Sequence, residues 1–385
     1  MKPVYFDHAA TTPVDPRVFE AMTPFFCERF GNPSEPHRLG REARSAVDEA
    51  RARVAALLGA GENEIVFTAG GTEADNLALF GSLARLQPGH LVVSAVEHPA
   101  VMEAARALNG RGWDVDYVPV DGDGVVDREA YRAAFRDDTR LVSVMTANNV
   151  VGTVQPVAEL ARIAHQKGAL FHTDAVQAVG SLPVDVDELG VDMLSLSGHK
   201  LHGPKGVGAL YVRRGTRLQP LLHGGGQERR LRSGTENVPG IVGLGVAMTL
   251  ACEAMPEVRP RLERLRDRLV AGVLARVPEV ILLGHPTDRL PGNAAFAVRY
   301  VEGESLLLRL DARGFTVSSG SACAAGSDEP SPVVQALGVR PEDAHGSLRV
   351  SLGRENTEEE VDAFLDALPP IVDELRRMSP LYAKR

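Results

Sequence analysis

From about residue 40 to residue 215 short apolar runs alternate with amphipathic stretches, which predicts strands threaded between helices rather than a helical bundle. The runs at 64–68, 91–96, 115–120, 141–146, 169–173, 193–197 and 208–212 read as buried strands. Between them, 72–85, 100–108, 127–135 and 157–166 repeat apolar residues at three- and four-residue spacing, the period of a helix with one face on a core. The layout is a doubly wound, mostly parallel sheet. The longest strongly apolar stretch, 241–252, is interrupted by glycines and falls short of the roughly 18 residues of a membrane span, so it reads as a buried helix. After a charged helix over 257–276 the pattern changes to strand 294–300, helix 304–312, strands 315–319 and 347–352, and a last helix opened by a capping box of Thr357 and Glu360. The expected organisation is α/β: a large domain over 16–255, and a smaller α+β domain built from 1–15 together with 256–385.

Composition narrows the function classes. With 385 residues and 44% hydrophobic positions the chain can fill more than one core. A net charge of -9 gives no general attraction to nucleic acid or to anionic membranes, and the cluster Arg229, Arg230, Arg232 is local. Pro3, Asp7 and Pro13 stand where an export signal would need an apolar run behind a basic start, so a cytoplasmic location is expected. Cys27, Cys252 and Cys323 lie far apart without C-x-x-C spacing, which argues against a disulfide framework and a zinc site; no metal is expected. Phe25 and Phe26 suggest that Cys27 is packed, and Cys252 sits in the apolar helix.

In an open parallel sheet ligands bind beyond the carboxyl ends of the strands. There the first strand runs into Gly70-Gly71-Thr72 and a helix, a turn whose N–H groups suit a phosphate. The following strands end at Glu97-His98, at Asn148-Asn149, at Asp174 with Gln177 one turn beyond, and at Gly198-His199-Lys200. A phosphate cradle, an acid and a lysine at one sheet edge are what pyridoxal 5'-phosphate requires: the amine holds the cofactor covalently, and the carboxylate keeps its ring nitrogen protonated. Only five of the 42 basic residues are lysines, and Lys2, Lys384 and Lys167 are terminal or on a polar helix end. Lys200 follows directly from a buried strand, whereas Lys205 sits in a Gly-Pro-Lys-Gly turn open to solvent, so Lys200 is preferred.

The segments Asp7-His8-Ala9-Ala10-Thr11-Thr12-Pro13, Gly71-Thr72-Glu73, Glu97-His98, Thr173-Asp174-Ala175-Val176-Gln177, Ser197-Gly198-His199-Lys200, Arg232-Ser233-Gly234-Thr235 and Ser318-Ser319-Gly320-Ser321-Ala322-Cys323 resemble the cysteine desulfurases of iron-sulfur-cluster assembly, from residue 4 to about residue 380. The resemblance implies the pyridoxal-phosphate-dependent transferase fold of the aspartate aminotransferase type, a homodimer, and removal of sulfur from L-cysteine to give L-alanine and a persulfide on Cys323. By the same resemblance Lys200 holds the cofactor, Asp174 pairs with its nitrogen, Gln177 bonds the ring oxygen and His98 stacks on the ring and moves protons. Gly71, Thr72, Ser197 and His199 bind the phosphate, Thr235 reaches it from the partner subunit, and Asn149 and Arg349 hold the substrate carboxylate. Asn32, in a matching Gly-Asn-Pro segment, receives no role.

Small residues around Cys323 make an uncovered loop in which a thiol can be reached and can move, and 322–329 is expected to be its swinging part. An acceptor protein or thiol must take the sulfur away. Val150 stands where the family usually has an acid, so a hydrogen bond near the substrate or the loop is expected to be missing and activity lowered. The chain reaches Arg385 soon after Ser379-Pro380-Leu381-Tyr382, without the tail some relatives use to dock a scaffold protein, which leaves the acceptor open. The alternatives are a selenocysteine lyase or a small-molecule aminotransferase on the same fold, the latter having no use for Cys323, and a catalytically idle scaffold subunit.

Overall fold

A computed structural model of the chain describes residues 3–320, 331–380 and 382. Its strands are β1 (Val4–Tyr5), β2 (Ile65–Thr68), β3 (His90–Ser94), β4 (Asp114–Val118), β5 (Thr139–Ser143), β6 (Leu170–Asp174), β7 (Met193–Ser197), β8 (Gly208–Val212), β9 (Val280–Leu283), β10 (Asn293–Val298), β11 (Phe315–Thr316) and β12 (Ser347–Ser351). Seven of them form one sheet in the order β2-β8-β7-β6-β5-β3-β4. From β4 to β7 the neighbours are parallel, while β8 runs antiparallel to both β7 and β2. Residues 198–207, which join β7 to β8, are too few for the crossover helix that a parallel return needs. The chain passes outward from β3 to β4 and then back across to β5, β6 and β7, so the crevice of this sheet opens at the carboxyl ends of β3, β5 and β6.

Both faces of the sheet are covered. On one, helix Arg38–Leu58 and the start of helix Val238–Arg276 pack with Ile65, Phe67, Phe171 and Leu196; on the other, helices Gly71–Leu83 and Pro99–Asn109 pack on Val66, Leu91, Val93 and Leu210. Removing a side chain such as Phe171 from water contributes about 1.5–3 kcal/mol. A further core gathers Phe6, Leu265, Leu269, Phe296, Phe315, Leu348 and Phe364 around the antiparallel sheet β12-β10-β9 and helix Glu358–Met378, which Thr357 and Glu360 cap as the sequence predicts.

Three expectations are corrected. The apolar and charged segments near residue 255 are one helix, Val238–Arg276: Pro256 and Pro260 remove two ladder donors, but the helix persists because one half is clamped in each core. This helix is therefore long and apolar enough to cross a membrane by length and composition, with a mean hydropathy of 1.6 over its best 18-residue window. Its apolar half nevertheless buries Val238, Ile241, Leu244 and Met248 between helix Arg38–Leu58 and the sheet. The expected strand 315–319 is confined to β11, which pairs in parallel with β1, and β9, which the sequence reading passed over, supplies the edge of the antiparallel sheet. Cys27 is exposed rather than packed, because only Phe25 of the two flanking aromatics turns inward.

Candidate active site

Each strand end delivers its polar residues by a local device. β6 ends in buried Asp174, whose Oδ1 accepts from Val176 N at 2.8 Å. β7 ends at Ser197, and the 3-10 turn Gly198–Lys200 carries Lys200 off the sheet edge. Its Nζ donates to the carbonyls of Ala9 (2.6 Å) and Ala10 (2.7 Å), and Gln177 Nε2 donates to Ala9 O at 2.9 Å. The Asp7–Pro13 segment thus closes one side of the site; Thr12 Oγ1 donates to His199 O at 2.9 Å, and His199 Nδ1 lies 3.1 Å from Thr11 Oγ1. Beyond β3, His98 caps helix Pro99–Asn109 by accepting from Ala100 N at Nδ1 (3.1 Å), which orients the ring.

These residues line one cavity of about 280 Å³ with Gly71, Thr72, Asp75, Asn149, Ser197 and Arg349. Arg349 comes from β12, so the cavity lies between the large sheet and the antiparallel one. Its NH2 pairs with Asp7 Oδ1 at 2.8 Å, its NH1 donates to Asn149 O at 2.9 Å, and Nε has no hydrogen-bond partner among the described residues. Of the site residues expected from the sequence, Lys200, Asp174, Gln177, His98, Gly71, Thr72, Asn149, Ser197, His199 and Arg349 are brought together. Thr235 is exposed and outside the cavity, although Arg232 in the same loop reaches Glu73 of helix Gly71–Leu83 at 2.9 Å. Lys205 is exposed. Cys323 and the segment 322–329 lie outside the described residues.

The electrostatics follow from burial. Desolvation pushes Asp174 up from the ordinary carboxylate range, with His98 and Lys200 acting in the opposite sense. Desolvation lowers His98, holds His199 down to about 4 and holds His172, within β6, down to about 3, so these rings are neutral at pH 7. Sequence reasoning missed Asp75, a buried acid one helical turn after Thr72; the available signal was a lone acid among Ala74, Leu77 and Ala78 on an otherwise apolar helix face. At Val150 the side chain is buried among Val96, Ala295, Ala297 and Val333. The turn there is held instead by Asn148 Oδ1, which accepts from Val150 N (2.8 Å) and Val151 N (2.9 Å).

The donor set fits pyridoxal 5'-phosphate. Helix Gly71–Leu83 starts after Gly70 (φ 152) with no side chain among the described residues capping it, which leaves its first N–H groups for a phosphate. A Cβ on Gly71 would come within 2.8 Å of Val176 Cγ2, so the helix start sits against the Val176 side chain with no room for a side chain of its own. An amine, a buried carboxylate and a ring fixed by its own cap complete the set.

A doubly wound sheet with an amine, an acid and an uncapped helix start at its carboxyl edge defines a pyridoxal-phosphate-dependent transferase. Residues 4–364 match the family described as Aminotransferase class-V. The chain belongs to that family and, within it, to the cysteine desulfurases, enzymes that depend on pyridoxal phosphate. It is 52% identical to "Cysteine desulfurase IscS" of Methanosarcina thermophila over 385 residues, 100% of this chain and 95% of that protein. Among solved structures, one described as "NIFS-LIKE PROTEIN" superposes with a TM-score of 0.91 at 41% identity, covering 97% of this chain and 100% of that one. Another, "SspA in complex with cysteine", does so with a TM-score of 0.81 at 37% identity, covering 92% and 99%.

Proposed function

We propose that the protein takes sulfur from L-cysteine, releases L-alanine and keeps the sulfur as a persulfide on Cys323 for an acceptor, in iron-sulfur-cluster assembly or another sulfur-transfer pathway. The observation that carries this is the convergence of Lys200, Asp174 and the uncapped start of helix Gly71–Leu83 on one cavity. The cysteine bound in the related SspA structure favours the same substrate.

Pyridoxal phosphate, when bound, supplies an electron sink for the carbon beside the substrate carboxylate. Lys200 holds it through Nζ, and Asp174 keeps its ring nitrogen protonated. His98, whose Nδ1 accepts from Ala100 N, would stack on the cofactor ring and would move a proton at Nε2. Gln177 bonds the ring oxygen, Gly71, Thr72, Ser197 and His199 bind the phosphate, and Asn149 with Arg349 receives the substrate carboxylate. The Cys323 thiolate attacks the substrate sulfur: an S–S bond forms, the substrate's carbon–sulfur bond breaks, and the carbon takes up a proton as alanine leaves. Thr235, exposed and outside this cavity, would by the family resemblance bind the phosphate in the site of a second subunit, which makes the working form a homodimer with composite sites. The two halves of helix Val238–Arg276 belong to two domains, 16–255 and 1–15 with 256–385, and a reducing cytoplasm suits a chemistry that needs Cys323 as a thiol.

Borohydride reduction of the yellow holoprotein followed by peptide mapping tests the site. The expected label is on Lys200; a label on Lys205 overturns the assignment.

A further inference from the structure

Asp75 has no part in the chemistry above, yet it lines the cavity and is 1% exposed. The titratable groups around it are Asp174 and His172 of β6, Glu97 and His98 after β3, and Lys200 after β7. One carboxylate oxygen each of Asp75 and Asp174 and a ring nitrogen of His98 lie within 4.8 Å of one another, and Glu97 is a further buried acid. Of the cationic side chains on the cavity wall, Lys200 Nζ bonds the Ala9 and Ala10 carbonyls and acts on Asp174, and Arg349 pairs with Asp7. Behind Asp75 runs a chain of uncharged groups. Ser143 Oγ is 2.9 Å from His172 Nδ1, and His172 Nε2 is 3.0 Å from Ser195 Oγ, which hydrogen-bonds Asp75. Asp75 Oδ1 lies 3.6 Å from His172 Nε2 and has no hydrogen-bond partner among the described residues.

A second charged carboxylate so close to Asp174, facing the neutral His172 ring at 3.6 Å, would be buried with little compensation. We propose that Asp75 is a neutral carboxylic acid, a positioning residue that packs beside Asp174 and is itself held from behind by the Ser195-His172-Ser143 chain, leaving Asp174 as the single negative charge facing the cofactor ring. Burial first, and the Asp174 charge second, push the Asp75 carboxyl well above the usual carboxylate range, in agreement with the geometry. His172, neutral on the same grounds, offers it no charge. A neutral acid gives the site polar support without repelling the one carboxylate the cofactor nitrogen needs. This role rests on the pyridoxal-phosphate reading of the cavity, but the protonation state itself does not.

Two measurements separate the two. In the cofactor-free protein at pH 7, infrared difference spectra of wild type against Asp75→Asn should show a protonated-carboxyl C=O band lost in the variant; no such band overturns the proposal whatever the cofactor does. In the pyridoxal-phosphate-loaded protein, Asp75→Asn, which replaces a neutral acid by a neutral amide, should leave the pH midpoint of the cofactor absorbance within about half a unit of wild type. Removing an anion some 5 Å from Asp174 would instead move it by about two units, and that shift also overturns the proposal. Asp75→Ala, which removes the support, should weaken pyridoxal-phosphate binding in equilibrium dialysis by about tenfold, and unchanged binding contradicts the positioning role. A wild-type protein that binds no pyridoxal phosphate would refute the cavity reading and with it this role, while the infrared result would still decide the charge.

Discussion

The loop that carries Arg232 and Thr235 is anchored by a buried ion pair, and Glu228→Ala tests that anchor. Arg51 NH2 lies 2.5 Å from Glu228 Oε1 and NH1 2.9 Å from Oε2; NH1 also donates to Ile65 O at 2.8 Å, and Phe67 N donates to Glu228 Oε2 at 2.9 Å. Arg51 also stacks 4.7 Å over the Phe67 ring, and both charged side chains are buried. Truncating Glu228 leaves the Arg51 charge buried without its partner, a loss of about 3–5 kcal/mol, and strips the Phe67 N–H of its acceptor, about 1 kcal/mol more. Ala at φ 45 gains nothing back, because the left-handed region is as unfavourable for it as for Glu. The expected loss is about 4–6 kcal/mol in urea unfolding of the cofactor-free protein followed by circular dichroism. Replacing both partners, Arg51→Met with Glu228→Leu, should recover most of it, since the cost is that of an uncompensated charge rather than of a missing pair. A single-variant loss below about 1 kcal/mol, or a double variant no better than the single, would refute the reasoning.

Arg230 is exposed with φ 67, so Arg230→Gly should raise stability by about 1 kcal/mol in the same unfolding assay, and a loss would show that the turn is not strained there. Gly320 has φ 76 and a Cβ built on it would lie 2.7 Å from Val150 Cγ1; Gly320→Ala should lower stability by about 1–3 kcal/mol, and Val150→Ala should relieve the clash in the double variant. His172 is held down to about 3 in the folded protein against an ordinary 6.5, so between those values the unfolded chain binds more protons and stability falls as pH falls. Its share approaches about 1.4 kcal/mol per pH unit; His172→Asn should flatten the pH 6 to 4 limb of the stability curve, and an unchanged slope would contradict a buried neutral ring.

The strands of the large sheet were legible because they are buried on both faces and read as apolar runs; 193–197 and 208–212 match β7 and β8 residue for residue. The direction of β8 was not legible, since it depends on the length of the link after β7 rather than on its own residues. Nor was the unity of helix Val238–Arg276: Pro256 looks like a stop in sequence, and only packing against two cores carries the helix through it. Lys200, Asp174 and His98 could be read from the chain because a polar residue directly after a buried strand stands out. Asp75 could not, because its significance comes from its distance to Asp174, nearly a hundred positions away along the chain and within 4.8 Å in space. The pairing of Arg349 with Asp7 was equally hidden, joining β12 to the N-terminal segment.

The most direct test of the activity is to mix the pyridoxal-phosphate-loaded protein with L-cysteine and a thiol reductant and to measure sulfide and alanine in the same samples. Desulfuration gives the two in equal amounts, and Cys323→Ser, which should still change its absorbance on adding cysteine, gives neither. Accumulation of a keto acid in place of sulfide, or wild-type sulfide production by the Cys323→Ser protein, would contradict the assignment.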